Sequence, residues 1–141
     1  MIETAIQLAT LVSVAGGVVG LVLGIRIYRR QTNAQIFLEY TKRYQETMSA
    51  FPEPARTARL DLEGEPPAPS QELTLAVLRY LNLCSEEFYL YKRGYLLRDI
   101  WLIWEDELKR TLRSPLLRRE WQQLKREFQS YPEFAAYVET A

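Results

Sequence analysis

From Thr4 to Ile25 no side chain carries a charge. A helix rises ~1.5 Å per residue, so a run of about twenty-two residues covers ~33 Å, enough to cross a hydrocarbon core of ~30 Å. Three structures shelter such a run: a membrane span, a buried core helix of a soluble protein, and a secretory signal peptide. The last needs a basic stretch before the apolar run and a small-residue cleavage site after it. Here the order is reversed, with Glu3 the only charge ahead and Arg26, Arg29 and Arg30 directly behind. Tyr28, among those arginines, suits the interfacial belt where aromatics with a polar tip collect. Residues 1–30 therefore read as a transmembrane helix with a basic flank. Arginine is costly in hydrocarbon and cytoplasmic flanks favour Lys and Arg, which puts the N-terminus outside and the C-terminal domain, 31–141, in the cytoplasm.

The span is uneven around its circumference. At ~100° per residue, Gln7, Thr10, Ser13, Gly17, Gly20 and Gly24 fall within roughly 140° of arc, with the leucines and valines mostly opposite. Gly16, Gly20 and Gly24 add two overlapping small-xxx-small steps. Membrane helices gain nothing hydrophobic by pairing and associate through close backbone packing and polar contacts, so this face predicts homo-oligomerisation. The same residues offer a second arrangement, in which Gln7, Thr10 and Ser13 line a water-filled lumen.

Several chemistries are excluded. The chain of 141 residues has no histidine and one cysteine, Cys84. His-dependent triads, zinc sites and intrachain disulfides are therefore out of reach. No glycine-rich phosphate loop is present. Beyond Arg30 there are 15 basic and 17 acidic residues, a balance of −2, so bulk charge gives no reason to expect nucleic acid. Carboxylates, Lys, Tyr and Ser remain without a recognisable catalytic arrangement. The reading is non-enzymatic, with no cofactor and no metal, and a carboxylate-based enzyme as the weakest alternative.

Nothing breaks a helix from Arg26 to about Ala50, and Ile36, Phe37, Tyr40, Tyr44 and Met48 recur at helical steps. Gln31, Thr32 and Asn33 form a polar collar where a bend would fall. Residues 51–70 carry Pro52, Pro54, Pro66, Pro67 and Pro69 and read as a proline-rich loop, with room for a helical turn around 55–62. Ser70 caps a second cytosolic helix over 71–93 that ends at Gly94. Its narrow polar side holds Arg79, Asn82 and Glu86. A third helix over 99–112 points Ile100, Trp101, Ile103, Trp104, Leu108 and Leu112 inward and Glu105, Asp106 and Glu107 outward. Ser114–Pro115 starts a fourth, carried by Leu117, Trp121, Leu124 and Phe128. A last short helix starts at Ser130, with Glu133 completing a capping box. The fold class is all-α: one transmembrane helix continuing into a cytosolic bundle of four to five helices.

Lys109, Arg110, Arg113, Arg118, Arg119, Lys125 and Arg126 crowd one stretch in which Glu120 and Glu127 are the only acids beyond the first turn. This candidate basic surface suits anionic lipid at ~1 kcal/mol per residue, or RNA. It serves equally as a solvated helix face, or as a partner for acidic groups of the same domain or a neighbouring subunit.

The segment from Arg79 to Tyr95, together with Trp104-Glu105 and the run Thr111-Leu112-Arg113-Ser114-Pro115-Leu116, resembles a family of small bacterial single-pass membrane-anchored proteins of unknown function. The resemblance covers most of the chain, implies the bacterial inner membrane, and brings no catalytic residues with it. In architecture alone the chain is also similar to the pore-forming membrane accessory proteins of type VI-B CRISPR systems, whose nuclease-like motif needs a histidine that is missing here. The expected function is a membrane-anchored protein whose helical domain and small-residue span drive homo-oligomerisation and binding of a protein partner at the lipid bilayer. A homo-oligomeric pore or channel acting in phage defence is the alternative that the second similarity implies.

Overall fold

In a computed structural model describing residues 2–141, every regular element among the described residues is helical. The first, α1 (Ile2–Ser49), is 48 residues long and passes through the polar collar without a break. The chain divides into two compact units, Met1–Ile36 and Phe37–Ala141. In the first unit every residue from 2 to 31 is exposed. Asn33 is buried and its side-chain amide donates to the Arg29 carbonyl at 2.9 Å, while the Thr10 hydroxyl donates to the Ile6 carbonyl at 2.9 Å. The described part of this unit thus contains one helix long and apolar enough to span a membrane.

The second unit takes the last turns of α1 and adds α2 (Glu53–Ala58), α3 (Gln71–Lys92), α4 (Arg98–Leu112), α5 (Pro115–Leu124), a 3₁₀ turn (Lys125–Phe128) and α6 (Pro132–Thr140). Helix α3 is its centre. Leu73, Ala76, Val77, Tyr80, Leu81, Leu83, Cys84, Glu87 and Phe88 are all buried, and α4 and α5 pack on it. Phe88 is ringed by Trp101, Tyr131, Phe134 and Tyr137 at centroid distances of 5.9, 5.9, 5.8 and 4.9 Å. Each such pair contributes roughly 0.5–1.5 kcal/mol beyond the area it buries.

Local sequence sets most of the ends. Ser70 accepts from the Leu73 amide at 3.1 Å. Ser114 accepts from the Leu117 amide at 3.3 Å and donates to the Thr111 carbonyl at 2.8 Å, with Pro115 in the first helical position. Gly94 lies just past α3 with φ of 72°, the left-handed geometry that closes a helix.

Four expectations are corrected. The helical turn of the proline-rich loop lies at Glu53–Ala58 rather than 55–62, because Pro52 and Pro54 suit the start of a helix and not its interior. The fourth helix stops at Leu124, and the chain tightens into the 3₁₀ turn that carries Phe128. The capping box at Ser130 does not form: Pro132 opens α6, and Tyr131 is its cap residue, with φ of −131° and ψ of 68° and no side-chain cap bond. On α4, Ile103 is 61% exposed and Glu107, expected outward, turns into the domain.

Candidate functional site

Glu107 gathers donors from three helices and the segment after α2. Its Oε1 accepts from the Tyr44 hydroxyl at 3.0 Å, Arg59 Nη1 at 2.9 Å and the Thr111 hydroxyl at 2.9 Å. Its Oε2 accepts from the Tyr80 hydroxyl at 2.9 Å. Burial and the carboxylate charge together push the Tyr44 phenol up to about 12 and that of fully buried Tyr80 well above its usual value. A second carboxylate, Glu86, stands at the edge of the same region. It is gripped by both terminal nitrogens of Arg43 at 2.6 and 3.0 Å and by the Tyr40 hydroxyl at 3.2 Å, and these bonds to Arg43 hold its pKa below the ordinary value.

Glu87 differs from both. It is 6% exposed, and among the described residues no hydrogen bond reaches its carboxyl group. Burial, reinforced by the Glu107 charge, pushes its pKa up to about 8. The cost of ionising a carboxyl away from water outweighs the attraction of Arg43, which acts at a distance. Glu87 and Glu107 line a cavity of about 230 Å³ whose walls are Phe37, Tyr40, Tyr44, Tyr80 and Trp104, completed by Thr41, Cys84 and Ile103. All of these belong to the unit Phe37–Ala141. The ring of Phe37 stacks on Trp104 at 6.0 Å and Tyr40 lies against it at 5.5 Å. A carboxyl kept protonated near neutral pH in such a cavity is chemically suited to giving up its proton when a cation arrives. The Cys84 thiol is driven up by burial and so remains a thiol rather than a reactive thiolate.

The residues singled out by sequence have separate placements. Gln7, Thr10, Ser13, Gly16, Gly17, Gly20 and Gly24 lie on the exposed part of α1, with Arg26, Tyr28, Arg29 and Arg30 on the following turns. Added Cβ atoms at Gly16, Gly17, Gly20 or Gly24 meet nothing within 4 Å. The basic row is divided. Arg119 is structural: it clasps buried Glu120 through Nε and Nη2 at 3.0 and 2.8 Å and donates Nη1 to the Pro67 carbonyl at 2.7 Å. Thr74 adds a bond to Glu120 at 2.8 Å. Lys109 pairs with Glu105 at 3.0 Å, Arg113 donates to the Ala141 carbonyl at 3.3 Å, and Lys125 reaches Gln122 at 3.3 Å. Arg110, Arg118 and Arg126 are exposed. Of the polar trio on α3, Arg79, Asn82 and Glu86 are exposed, and the buried acid is their neighbour Glu87. Its signal was in the register: Glu87 lies seven residues after Tyr80 and three after Cys84, on the buried face.

No family model, no curated protein and no solved structure matches the chain.

Proposed function

We propose that the chain is a non-catalytic, single-pass membrane protein of the bacterial inner membrane. Its apolar run lies in lipid, and its helical unit Phe37–Ala141 stands in the cytoplasm, where it binds itself and a protein partner. The observation that carries this reading is the exposure of the apolar run: none of its most apolar stretch is buried by the rest of the chain. A core helix of a soluble protein would be covered, since burying a single Leu, Ile or Val is worth ~1.5–3 kcal/mol. Lipid supplies that cover. The glycines support self-association. Each costs roughly 0.5–1 kcal/mol against Ala in a helix interior, and the open space around Gly16, Gly17, Gly20 and Gly24 shows that the single chain has no steric need for them. A second helix packed against that face accounts for their presence.

The test is extraction and labelling of the full-length protein in cells. The reading expects it to stay with membranes through an alkaline carbonate wash and to need detergent for release. Because Cys84 is buried, introduced cysteines report topology: a membrane-impermeant maleimide should label Glu3→Cys in intact cells and Ser130→Cys only after lysis. Release by carbonate overturns the anchor, and the opposite labelling pattern overturns the orientation.

A further inference from the structure

We infer that the cavity holding Glu87 and Glu107, walled by Phe37, Tyr44 and Trp104, is a binding site for a small alkylated ammonium cation such as a methylated amine or choline. The inference is independent of the membrane reading, because every residue it uses belongs to the unit Phe37–Ala141.

The acids of this unit differ in their partners. Glu86 is bound by Arg43 and Tyr40, Glu107 by Arg59, Tyr44, Tyr80 and Thr111, and Glu120 by Arg119 and Thr74. The fold supplies donors to each of these and none, among the described residues, to Glu87, although Glu87 is 6% exposed and opens on the cavity. Charge matching leads to the same residue. Arg43 balances Glu86 and Arg59 balances Glu107, so an ionised Glu87 leaves the cavity one negative charge in excess. A buried, unbalanced carboxylate is costly, and a ligand of opposite charge removes that cost.

The walls select the kind of cation. The phenol hydroxyls of Tyr40, Tyr44 and Tyr80 are all spent on carboxylates, which leaves electron-rich rings and few donors for an anion or a neutral polar molecule. Arg43 and Arg59 already lie over the Tyr40 and Tyr44 rings at 4.9 and 5.7 Å, and the stacked pair Phe37–Trp104 supplies further aromatic surface. Aromatic walls attract cations, Trp most strongly, and favour alkylated ammonium groups whose methyls tolerate loss of water. A metal ion is a poor fit: no cluster of three or more His, Cys, Asp or Glu that could hold one occurs among the described residues, and hard cations require six or more oxygens. The volume, about 230 Å³, lies below the ~300–1,000 Å³ of drug-sized pockets and suits a molecule of a few heavy atoms.

Binding should be linked to protons. The titratable and charged groups around Glu87 are Tyr40, Arg43 and Tyr44 from α1, Tyr80, Cys84 and Glu86 from α3, Glu107 from α4, and Arg59 after α2. Within that setting Glu87 titrates at about 8 when the cavity is empty, so at about pH 7 an arriving cation drives off most of one proton, and at about pH 10 none.

The test titrates the full chain, held in an uncharged maltoside detergent, with choline, tetramethylammonium and the neutral choline isostere 3,3-dimethylbutan-1-ol. Calorimetry in buffers of different ionisation enthalpy reads both affinity and proton release. The expected result is saturable binding of at least one cation, proton release that vanishes at high pH, no matching affinity for the neutral isostere, and weakening by about tenfold or more in Glu87→Gln. Trp104→Leu, at the cavity wall, serves as the second variant if Glu87→Gln does not fold, and should weaken the cation more than the isostere. Equal binding of the isostere, unchanged affinity in the variants, or no saturable binding of either cation overturns the inference.

Discussion

Removing a carboxylate wrapped in donors strands its partners, whereas a carboxyl buried without donors ties the stability of the domain to pH, and Glu107 and Glu87 are the two cases. Removing Glu107 in Glu107→Ala strands the Tyr80 hydroxyl, which is fully buried, and frees Arg59 and Tyr44 from their acceptor. The expected cost is about 2–4 kcal/mol, read as a lower urea midpoint for the detergent-solubilised domain. Glu87 acts through its protonation. Its folded pKa of about 8 lies above the ordinary 4.5, so folding favours its protonated form. The stability it contributes is complete below about pH 4.5 and is lost as pH rises through about 8, with a slope of up to ~1.4 kcal/mol per pH unit. Thermal melts between those limits should therefore fall with pH in the wild type, and Glu87→Gln should flatten the trend. A trend of equal steepness in Glu87→Gln would place the titrating group elsewhere. Both acids were within reach of the sequence. Glu107 stands three residues after Trp104 and four before Thr111, on the inward stripe of α4, but three consecutive acids read as an outward face. Their partners could not be read, because Tyr44 and Arg59 come from 63 and 48 residues away.

Elements were legible where the signal is local. Ser70, Ser114–Pro115 and Gly94 each act within a few residues, and each does in space what its spacing implies. Ser114→Ala removes an acceptor from the Leu117 amide and a donor to Thr111 in a fully buried site. A loss of about 1–2 kcal/mol is expected, against about 1 kcal/mol or less for exposed Ser70→Ala, with paired chemical-denaturation curves as the check. At the start of α6 two local signals compete. The Ser130–Glu133 spacing suggests a box, but Pro132 fixes its own φ, takes the first helical position and keeps Tyr131 out of the helical region. The inward face of α4 departs from its periodicity for a different reason. Stripe membership for Ile103 is a matter of a few tens of degrees, and the position of α3, a tertiary fact, settles it.

At the scale of the whole molecule, the fold class and the apolar helix follow from composition and periodicity alone, whereas the state of assembly depends on contacts between chains. The four glycines of α1 make that state testable. In the single chain a larger side chain at Gly20 is free of clashes, and β-branched residues lose little in a membrane helix where Val18, Val19 and Val22 already stand. Gly20→Ile should therefore leave helix content, membrane retention and the melting of the unit Phe37–Ala141 unchanged. If two copies pack through this face, the added side chain holds their backbones apart by more than close packing allows, and interhelical contacts in lipid depend on that proximity. The expected outcome is conversion of a chemically crosslinkable oligomer to monomer in mild detergent, with Leu11→Ile on the opposite face as a control that leaves assembly intact. Assembly that survives Gly20→Ile would move the self-association to the helical unit. A wild-type chain that is already monomeric would remove it from the proposal altogether.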